Sequence, residues 1–558
     1  MIAARTSETA AGPMTAPQPR PSAFAPLRYR VFRAIWLATL ASNFGGLIQA
    51  VGAAWMMTSL TASAQMVALV QAALTLPIMA FSLPSGAVAD SFDRRRVMLA
   101  AQAVMVITSS ALAAFAWAGL LTPWLLLGFT FLIGCGTALN NPSWQASVGD
   151  IVPRSDVPAA VALNSVGFNL TRSVGPAIGG AIVASAGAAA AFAVNACSYL
   201  PLILVLAAWK PANVPNPLPR ESLGMAMGAG LRYVAMSPDI GRVLLRASAF
   251  GFSTIAVLAL LPLVAREIEG GGPLTYGALL GAFGLGAVAA AFLGPRLRAA
   301  LSTETIVRLA FAGFAATAAI AASSPSTWLT GAGMLLGGAA WVTALSLFNT
   351  TVQLSTPRWV VGRALALYQT ATFGGMAAGS WLWGRLAQTG GLDAALYWAA
   401  AAMLAGGAIG FVVRLPGPSV LNFDPLNRWK EPHVAVDVTP RSGPIAIMAE
   451  YRIAAADVAE FLTLMAERHR IRRRDGARYW TLLRDLEDPE LWYESFQNPT
   501  WTEYVRHHAR TTIGDASNGD RIRALHAGPD PIRVHRMIVR QTAWDHADPI
   551  PKATMDVH

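Results

Sequence analysis

Long apolar runs follow one another along the first three quarters of the chain, and few charged positions interrupt them. A transmembrane helix needs roughly 20 mainly apolar residues, so each run is long enough to cross a bilayer. The pattern predicts twelve spans, near residues 34–58, 65–88, 97–119, 122–146, 158–185, 189–208, 243–265, 274–295, 304–322, 327–349, 362–387 and 391–413. A longer polar stretch, from Lys210 to Gly241, divides these spans into two groups of six.

The pattern changes from about residue 443, where shorter apolar segments alternate with dense charge of both signs. Strands are predicted at 443–453, 478–485, 491–498 and 531–539, and helices at 455–474, 501–510 and near 519–526. A β-α-β-β-α-β order suggests a ferredoxin-like α+β domain. The predicted fold class is therefore an all-α membrane protein of two pseudo-symmetric six-helix bundles, with a small C-terminal α+β domain.

This organisation predicts seven segments along the chain. They are a disordered cytoplasmic tail (1–27), an N-terminal bundle (28–208), a cytoplasmic central loop (209–241), a C-terminal bundle (242–414), a Pro-rich linker (415–442), a soluble α+β domain (443–540) and a flexible tail (541–558). The first segment has no apolar core of the kind that a cleavable signal peptide carries.

Composition and charge support a membrane protein. Apolar residues make up 54% of the 558 residues and charged residues 13%, more apolar surface than a soluble protein of this size could bury. The net charge is +11, but most basic residues before residue 415 cluster between the predicted spans. That placement indicates membrane topology rather than nucleic-acid binding, because Lys and Arg mark cytoplasmic loops.

The basic clusters fall at alternate connections, which predicts that both termini are cytoplasmic. They comprise Arg28, Arg30, Arg33, Arg94, Arg95, Arg96, Arg154, Lys210, Arg220, Arg232, Arg242, Arg296, Arg298, Arg358, Arg363 and Arg414. The exceptions are Arg266 and Arg385, near the opposite ends of spans seven and eleven. The two halves also repeat at a common offset of 204 residues, which pairs Arg94 with Arg298, Gly175 with Gly379 and Gly180 with Gly384. Such a repeat is expected of a transporter with its binding site at the interface of the repeats.

The segment from Gly86 to Arg96, at the end of span two, carries the most specific motif. It resembles the G-x-x-x-D-x-x-G-R-[RK] loop signature of the major facilitator superfamily, with Gly86, Asp90, Arg94 and Arg95 at the matching positions and Asp93 where the pattern has its second Gly. The resemblance implies a cytoplasmic gate, which locks that side in the outward-facing state. A simple cluster of cytoplasmic arginines is the plainer interpretation.

Span five carries a second motif, Arg172 to Gly180. Its Gly175, Pro176, Gly179 and Gly180 resemble the G-P-x-x-G-G end of the superfamily's antiporter motif, whose upstream Gly is replaced by Thr171. Close helix packing is the alternative explanation. Arg172 lies inside the predicted span, where a charge is costly and usually functional, unless it reaches an interface.

Polar side chains at plausible depth predict a substrate cavity, although such residues often serve only to join helices. The candidates are Asn43, Gln49, Asn141, Gln145, Asn169, Asn349 and Gln369. No Asp or Glu lies near the middle of a predicted span, so the residue that would carry a coupling proton is not assigned.

Several segments together, among them Ser42–Gly45 and Glu450–Ile453, resemble the enterobactin-exporter-like branch, also called transmembrane secretion effectors. The resemblance implies proton-coupled export of a siderophore-like or drug-like small molecule across the bacterial inner membrane by alternating access. The tail is similar to antibiotic-biosynthesis-monooxygenase-like domains, which implies possible self-association. We expect no enzymatic activity, cofactor, metal or nucleic acid. The alternatives are an importer, coupling to another ion, and a membrane-tethered sensor or enzyme that acts through its tail.

Overall fold

The structure is a computed structural model that describes residues 24–153, 155–210, 223–268, 270–357, 359–416, 426, 432 and 434–539. The side chains of residues 86, 87, 89–91, 158, 223, 225 and 226 lie outside that description. Most of the predicted N-terminal tail and linker, the final tail, Arg154 and Arg358 also lie outside it.

Fifteen α-helices and four β-strands make up the described part of the chain. The first twelve helices are α1 (Arg30–Leu60), α2 (Ala64–Ser91), α3 (Arg94–Trp117), α4 (Pro123–Ile151), α5 (Val157–Ala208), α6 (Leu223–Ala235), α7 (Pro238–Glu267), α8 (Pro273–Ala300), α9 (Thr303–Ser323), α10 (Thr327–Leu354), α11 (Val361–Gly390) and α12 (Leu392–Val412). Each predicted span lies largely within one of these helices. Helix α6 was not predicted, and it belongs to the polar stretch between the halves.

Ten of the described helices are long and apolar enough to cross a membrane. Helix α5 counts once among them although it has 52 residues, and α11 is not among the ten. Inside α5, Gly187 has φ 80° and ψ 170°, a non-helical conformation that breaks the helix. Glycine tolerates that positive φ because it has no Cβ. The break falls between the two spans that the sequence predicts for this region.

We call the helices before α6 the first group and those after it the second group. In the first group a buried polar cluster joins α1, α3 and the second part of α5: the Asn195 amide nitrogen lies within hydrogen-bond distance of Gln49 (2.7 Å), Ser109 (2.9 Å) and Tyr199 (3.0 Å). Hydrogen bonding offsets the cost of burying these groups in an apolar interior. In the second group aromatic rings fill the centre, where Phe250 packs edge-on against Phe311 with 5.0 Å between centroids.

The tail domain is a four-stranded antiparallel sheet covered by helices. Its elements are β1 (Ile445–Arg452), α13 (Val458–Asp475), β2 (Arg478–Arg484), β3 (Leu491–Asn498), α14 (Trp501–Ala509), α15 (Ile513–Ala524) and β4 (Val534–Ile538). The strand order is β2-β3-β1-β4. Burial alternates along β1 and β3, so one face of the sheet packs under the helices and the other stays more open.

The tail domain contacts the helical body through α6 and the connection between α10 and α11. The Arg474 guanidinium lies 5.4 Å from the Tyr233 ring centroid, and that of Arg510 lies 4.6 Å from the Trp359 ring. Tyr233 and Trp359 pack edge-on at 5.6 Å. We call the end of the helical body that carries these contacts, together with Arg94 and Arg298, the basic end.

Candidate functional site

The Gly86–Arg96 segment turns from α2 into α3 at the basic end. Gly86 and Asp90 lie in the last two turns of α2, and their side chains are outside the described part of the structure. Asp93, which replaces the second Gly of the loop signature, is the N-cap of α3 and accepts hydrogen bonds from the backbone of Arg95 (2.9 Å) and Arg96 (3.4 Å). This departure therefore supplies a helix cap, a role that carboxylates fill well.

Two of the three arginines of this segment contact the ends of neighbouring helices. Arg94 pairs with Asp150 at 2.6 Å and donates to the Ala146 carbonyl at 3.0 Å, both in the last turns of α4. Arg95 donates to the carbonyls of Leu206 and Ala207, both at 2.7 Å, where α5 ends. Positive charge at these helix C-termini is favourable because their carbonyls lack intrahelical partners. In the described contacts, the arginines thus connect α3 to α4 and α5.

The glycine-rich motif of α5 packs against two different helices. An added Cβ at Gly175 or Gly179 would lie 3.0 Å from Leu47 or Ile48 of α1. An added Cβ at Gly180 would lie 2.7 Å from the Pro273 carbonyl and 2.9 Å from Gly277 of α8, and the Pro176 carbonyl faces Gly277 in return. The motif therefore lets α5 approach α1 of its own group closely, and it brings the α5 backbone against the α8 backbone of the other group.

The repeat partners of these glycines occupy equivalent places. A Cβ at Gly379 would meet Ile255 of α7 at 2.7 Å, and one at Gly384 would meet Ala68 of α2 at 2.7 Å. We call these close contacts at glycine residues, between α5 and α8 and between α11 and α2, seams. The α11–α2 seam corresponds to the α5–α8 seam in the repeat.

Arg172 lies midway between the start of α5 and its break at Gly187. Its guanidinium is 5.4 Å from the Trp341 ring centroid and 5.6 Å from that of Phe283, both in the second group of helices. Among the described residues no carboxylate lies within ion-pair distance of it. Aromatic faces attract a cation without neutralising it. A half-buried positive charge therefore stands at the interface of the two groups.

A cavity of about 230 Å³ lies on the basic-end side of Arg172, between α5, α8, α9 and α10. Asn169 lines it from α5, one turn before Arg172, and Thr343 and Ser346 line it from α10. The lining also includes Arg298, the repeat partner of Arg94. Of the seven predicted cavity residues, Asn169 is the one that the structure places in this cavity.

The other predicted cavity residues lie elsewhere. Gln49 is buried in the polar cluster of the first group, which fits the role of joining helices. Asn141 and Gln145 are exposed on one face of α4, Asn43 and Gln369 are half-buried, and Asn349 accepts from Gln353 at 2.5 Å.

At the opposite end of the helical body, the two groups contact each other. The Arg266 guanidinium, at the end of α7, donates to the Thr58 carbonyl in the last turn of α1 at 2.9 Å. Trp55 of α1 stacks on Tyr276 of α8 at 6.4 Å. Arg266 was an exception to the charge pattern, and its contact with a helix C-terminus supplies a physical reason for that position.

One buried ion cluster gave no signal in the sequence. Arg246 of α7 is fully buried, with its Nη2 3.4 Å from Glu304 of α9, and Glu304 also pairs with Arg308 at 3.0 Å. The same carboxylate accepts from the backbone of Leu415 at 2.9 Å, just beyond α12. This cluster connects α7, α9 and the end of α12 at the basic end of the helical body. The described residues contain no group of three or more side chains suited to hold a metal.

A family model described as "Transmembrane secretion effector" matches residues 21–543. The chain belongs to this family. Its members and relatives are transporters of the major facilitator superfamily, not enzymes. The chain is therefore a multi-pass membrane transporter.

Two relatives carry names that describe siderophore transport. The enterobactin exporter EntS of Salmonella typhimurium is 27% identical over 307 residues, which cover 54% of this chain and 72% of EntS. The staphyloferrin A transporter of Staphylococcus aureus is 23% identical over 261 residues, which cover 45% of this chain and 64% of that protein.

Solved structures of transporters share the fold. An auto-inhibited peptide transporter of the POT family superposes with a TM-score of 0.59 at 13% identity, covering 71% of this chain and 99% of its own. A bacterial homologue of the human lysosomal transporter Spinster, in an inward-facing unoccupied conformation, gives 0.53 at 16% identity, covering 70% and 95%. At such identities the likeness concerns the fold alone.

Proposed function

We propose that this protein exports a small siderophore-like or drug-like molecule from the cytoplasm by alternating access of its two helix groups. The observation that carries the proposal is the charge of Arg172, which has no carboxylate partner among the described residues and lies at the interface of the groups, next to a cavity toward the basic end. Transporters of this kind bind substrate between structural repeats near the bilayer midplane. The names of the two relatives support a siderophore-like substrate.

The topology that we infer has twelve spans in two six-helix bundles. It counts α5 as two spans, separated at Gly187, and adds α11 to the ten long apolar helices. The basic end faces the cytoplasm of a bacterial inner membrane, because Arg-rich connections stay on that side. The described state is then inward-facing, since contacts such as Arg266–Thr58 close the other end.

The substrate that fits this site carries negative charge and a flat apolar part. Arg172 supplies the charge, while Trp341 and Phe283 supply ring faces. Because Arg172 has no carboxylate partner among the described residues, a substrate anion would not have to displace one. Its guanidinium can bind carboxylate or phenolate oxygens with two hydrogen bonds.

The proton gradient is the driving force that we infer, by analogy with the superfamily. The described carboxylates of the membrane helices lie near helix ends, as Asp150, Glu267 and Glu304 do. Coupling through Asp90 or Asp150 would place proton exchange at the basic-end gate. The gating role itself predicts that Asp90→Asn abolishes transport while membrane insertion stays normal.

We infer a ferredoxin-like fold for the tail, because four antiparallel strands in the order β2-β3-β1-β4 with crossing helices fit that topology. Self-association through the open face of its sheet follows from the same likeness. Chemical crosslinking of the full chain in membranes would detect such a dimer.

The decisive experiment measures accumulation of candidate siderophores and drugs in cells with and without this protein, at several imposed pH gradients. We expect lower accumulation of an anionic aromatic compound when the protein is present, and a smaller difference when the gradient is collapsed. Higher accumulation would indicate an importer, and an effect that follows another ion gradient would contradict proton coupling.

A further inference from the structure

A cavity of about 470 Å³ lies outside the membrane helices, at the junction of α6 and the tail domain. Three arginines line it: Arg232 of α6, Arg473 of α13 and Arg478 of β2. Three rings complete the wall, those of His469, Tyr479 and Trp480. No Asp or Glu of the described chain lines this cavity, and its volume is in the range of small-ligand sites.

The carboxylates near this cavity are already paired with other arginines. Asp475 pairs with Arg474 at 3.0 Å, and Glu503 pairs with Arg506 at 2.7 Å. Glu494, behind Trp480, is held by Arg468 at 2.8 Å and by Arg472 at 3.2 Å. The arginines that face the cavity therefore keep an excess of positive charge.

The excess of positive charge affects the pKa of Arg232. Burial and the nearby charges of Arg510 and Arg478 lower its pKa, although Glu503 and Asp475 act in the other direction. Its Nε is buried and has no hydrogen-bond partner among the described residues. A bound anion would offset the repulsion between the like charges of Arg232 and Arg478, so the site favours negative charge in the ligand.

The rings form a flat wall beside the arginines. His469 stacks on Trp480 with 4.3 Å between centroids and 13° between planes, and the Trp480 indole is fixed by donating to Glu494 at 3.1 Å. Burial and Arg473 lower the pKa of His469, which favours the neutral ring at neutral pH. Tyr479 has φ 52°, a conformation that is rare for a bulky residue, and its side chain is 76% exposed beside the cavity.

We propose that this cavity binds a small aromatic anion such as an aryl carboxylate, with the anion on Arg232, Arg473 and Arg478 and the ring against Tyr479 and Trp480. The site is separate from the membrane path around Arg172. Because Arg232 belongs to α6 while the other residues belong to the tail, a bound ligand would connect the tail domain to the transporter body.

Binding is tested with salicylate, titrated calorimetrically into the full-length protein in nanodiscs of zwitterionic lipid. Arg473→Gln combined with Arg478→Gln should weaken salicylate binding by about tenfold or more, since the charge-assisted hydrogen bonds to its carboxylate are lost. Arg470→Gln removes the same charge from an exposed position of α13 outside the cavity, and it should leave affinity within about twofold, since exposed charges contribute little. Tyr479→Leu should weaken salicylate more than cyclohexanecarboxylate, which has the charge but no aromatic ring.

Several outcomes would overturn the proposal. Absence of salicylate binding, or an equal loss in Arg470→Gln, would exclude the cavity as its site. Inorganic phosphate binding as tightly as salicylate would leave only a general anion site. Loss of salicylate binding in nanodiscs that contain anionic lipid would assign the arginines to lipid headgroups. Loss of salicylate binding in Arg172→Ala would place the ligand in the membrane path. If Arg172→Ala still binds salicylate but no longer transports, the tail site is independent of the transport proposal.

Discussion

At the scale of single residues, Arg172 is the position on which the transport proposal depends most. A charge within an apolar run predicted a functional residue, and the structure places that charge against two rings of the other helix group. Its immediate surroundings could not be predicted, because Phe283 and Trp341 are more than a hundred residues away, and only the packing of α5 on α8 and of α8 on α10 brings them near.

Replacement of Arg172 should distinguish an anion site from a residue that only reaches an interface. Arg172→Ala should lower efflux of an anionic substrate about tenfold or more, because the charge-assisted contact is lost. Arg172→Lys keeps the charge without the planar group and should give an intermediate rate. The control is Arg385→Ala, which removes an exposed arginine near the end of α11 that lies opposite the basic end. Unchanged efflux in Arg172→Ala would show that the residue takes no part in transport.

Glu494 is a buried charge of the tail that the sequence did not single out. Burial opposes its ionisation, but Arg468 and Arg472 more than offset that effect and lower its pKa to about 2 from an ordinary 4.5. Glu494→Gln leaves both arginines without their carboxylate, which costs about 3–5 kcal/mol when a buried pair is broken. Hydrogen exchange of β3 and α13 in the full chain should therefore accelerate strongly, while exposed Glu487→Gln should have little effect.

The same pair makes tail stability depend on pH. Because the folded pKa of Glu494 lies below the unfolded one, its contribution is present above about pH 4.5 and declines as the pH falls toward about 2. Exchange protection in wild-type β3 should follow that decline. If Glu494→Gln shows the same pH dependence as the wild type, another group is responsible.

At the scale of elements, the pattern of apolar positions predicted most of the helices. Glycine residues lie where several of these helices pack closely together. The sequence indicated two spans on either side of Gly187, and the backbone breaks there. It did not indicate α6, because that helix is short and lies in a polar stretch. It also did not show that Arg246 and Glu304 meet, since their helices are joined only by tertiary packing.

The α5–α8 and α11–α2 seams should limit the movement of the two groups in the same way. Gly180→Ala places a Cβ 2.7 Å from the Pro273 carbonyl, and Gly384→Ala places one 2.7 Å from Ala68. Overpacking of this kind typically destabilises a structure by about 1–3 kcal/mol. Here it would destabilise the state in which these helices are in close contact. Both variants should therefore favour opening of the end opposite the basic end.

A cysteine in place of Asn169, in a protein without Cys135 and Cys197, reports the equilibrium between the state open at the basic end and the state open at the opposite end. Its labelling from the basic-end side should slow in both glycine variants, if the cavity narrows as the other end opens. Gly46→Ala, where an added Cβ has no neighbour within 4 Å, is the matched control. Equal labelling in Gly180→Ala and Gly46→Ala would mean that the seam does not separate during transport.

At the scale of the whole molecule, the question is whether the tail takes part in transport. The structural neighbours are covered over 95–99% of their own chains by 70–71% of this one. The residues around Arg172 and the closing contact of Arg266 all lie before residue 412. The tail touches the body through α6 and Trp359, away from the cavity of α5, α8 and α10. These facts favour a transporter whose membrane part is complete by itself.

Deletion of residues 436–558 should therefore leave at least about half of the efflux activity, because none of the residues that form the membrane path is removed. The comparison must be made at equal amounts of protein in the membrane. Hydrogen exchange should rise in α6, which loses its contact with Arg474, and stay unchanged in α1 and α8. Complete loss of efflux from a normally inserted truncated protein would show that the tail belongs to the transport mechanism, and the ligand of the tail cavity would then become the first candidate for its control.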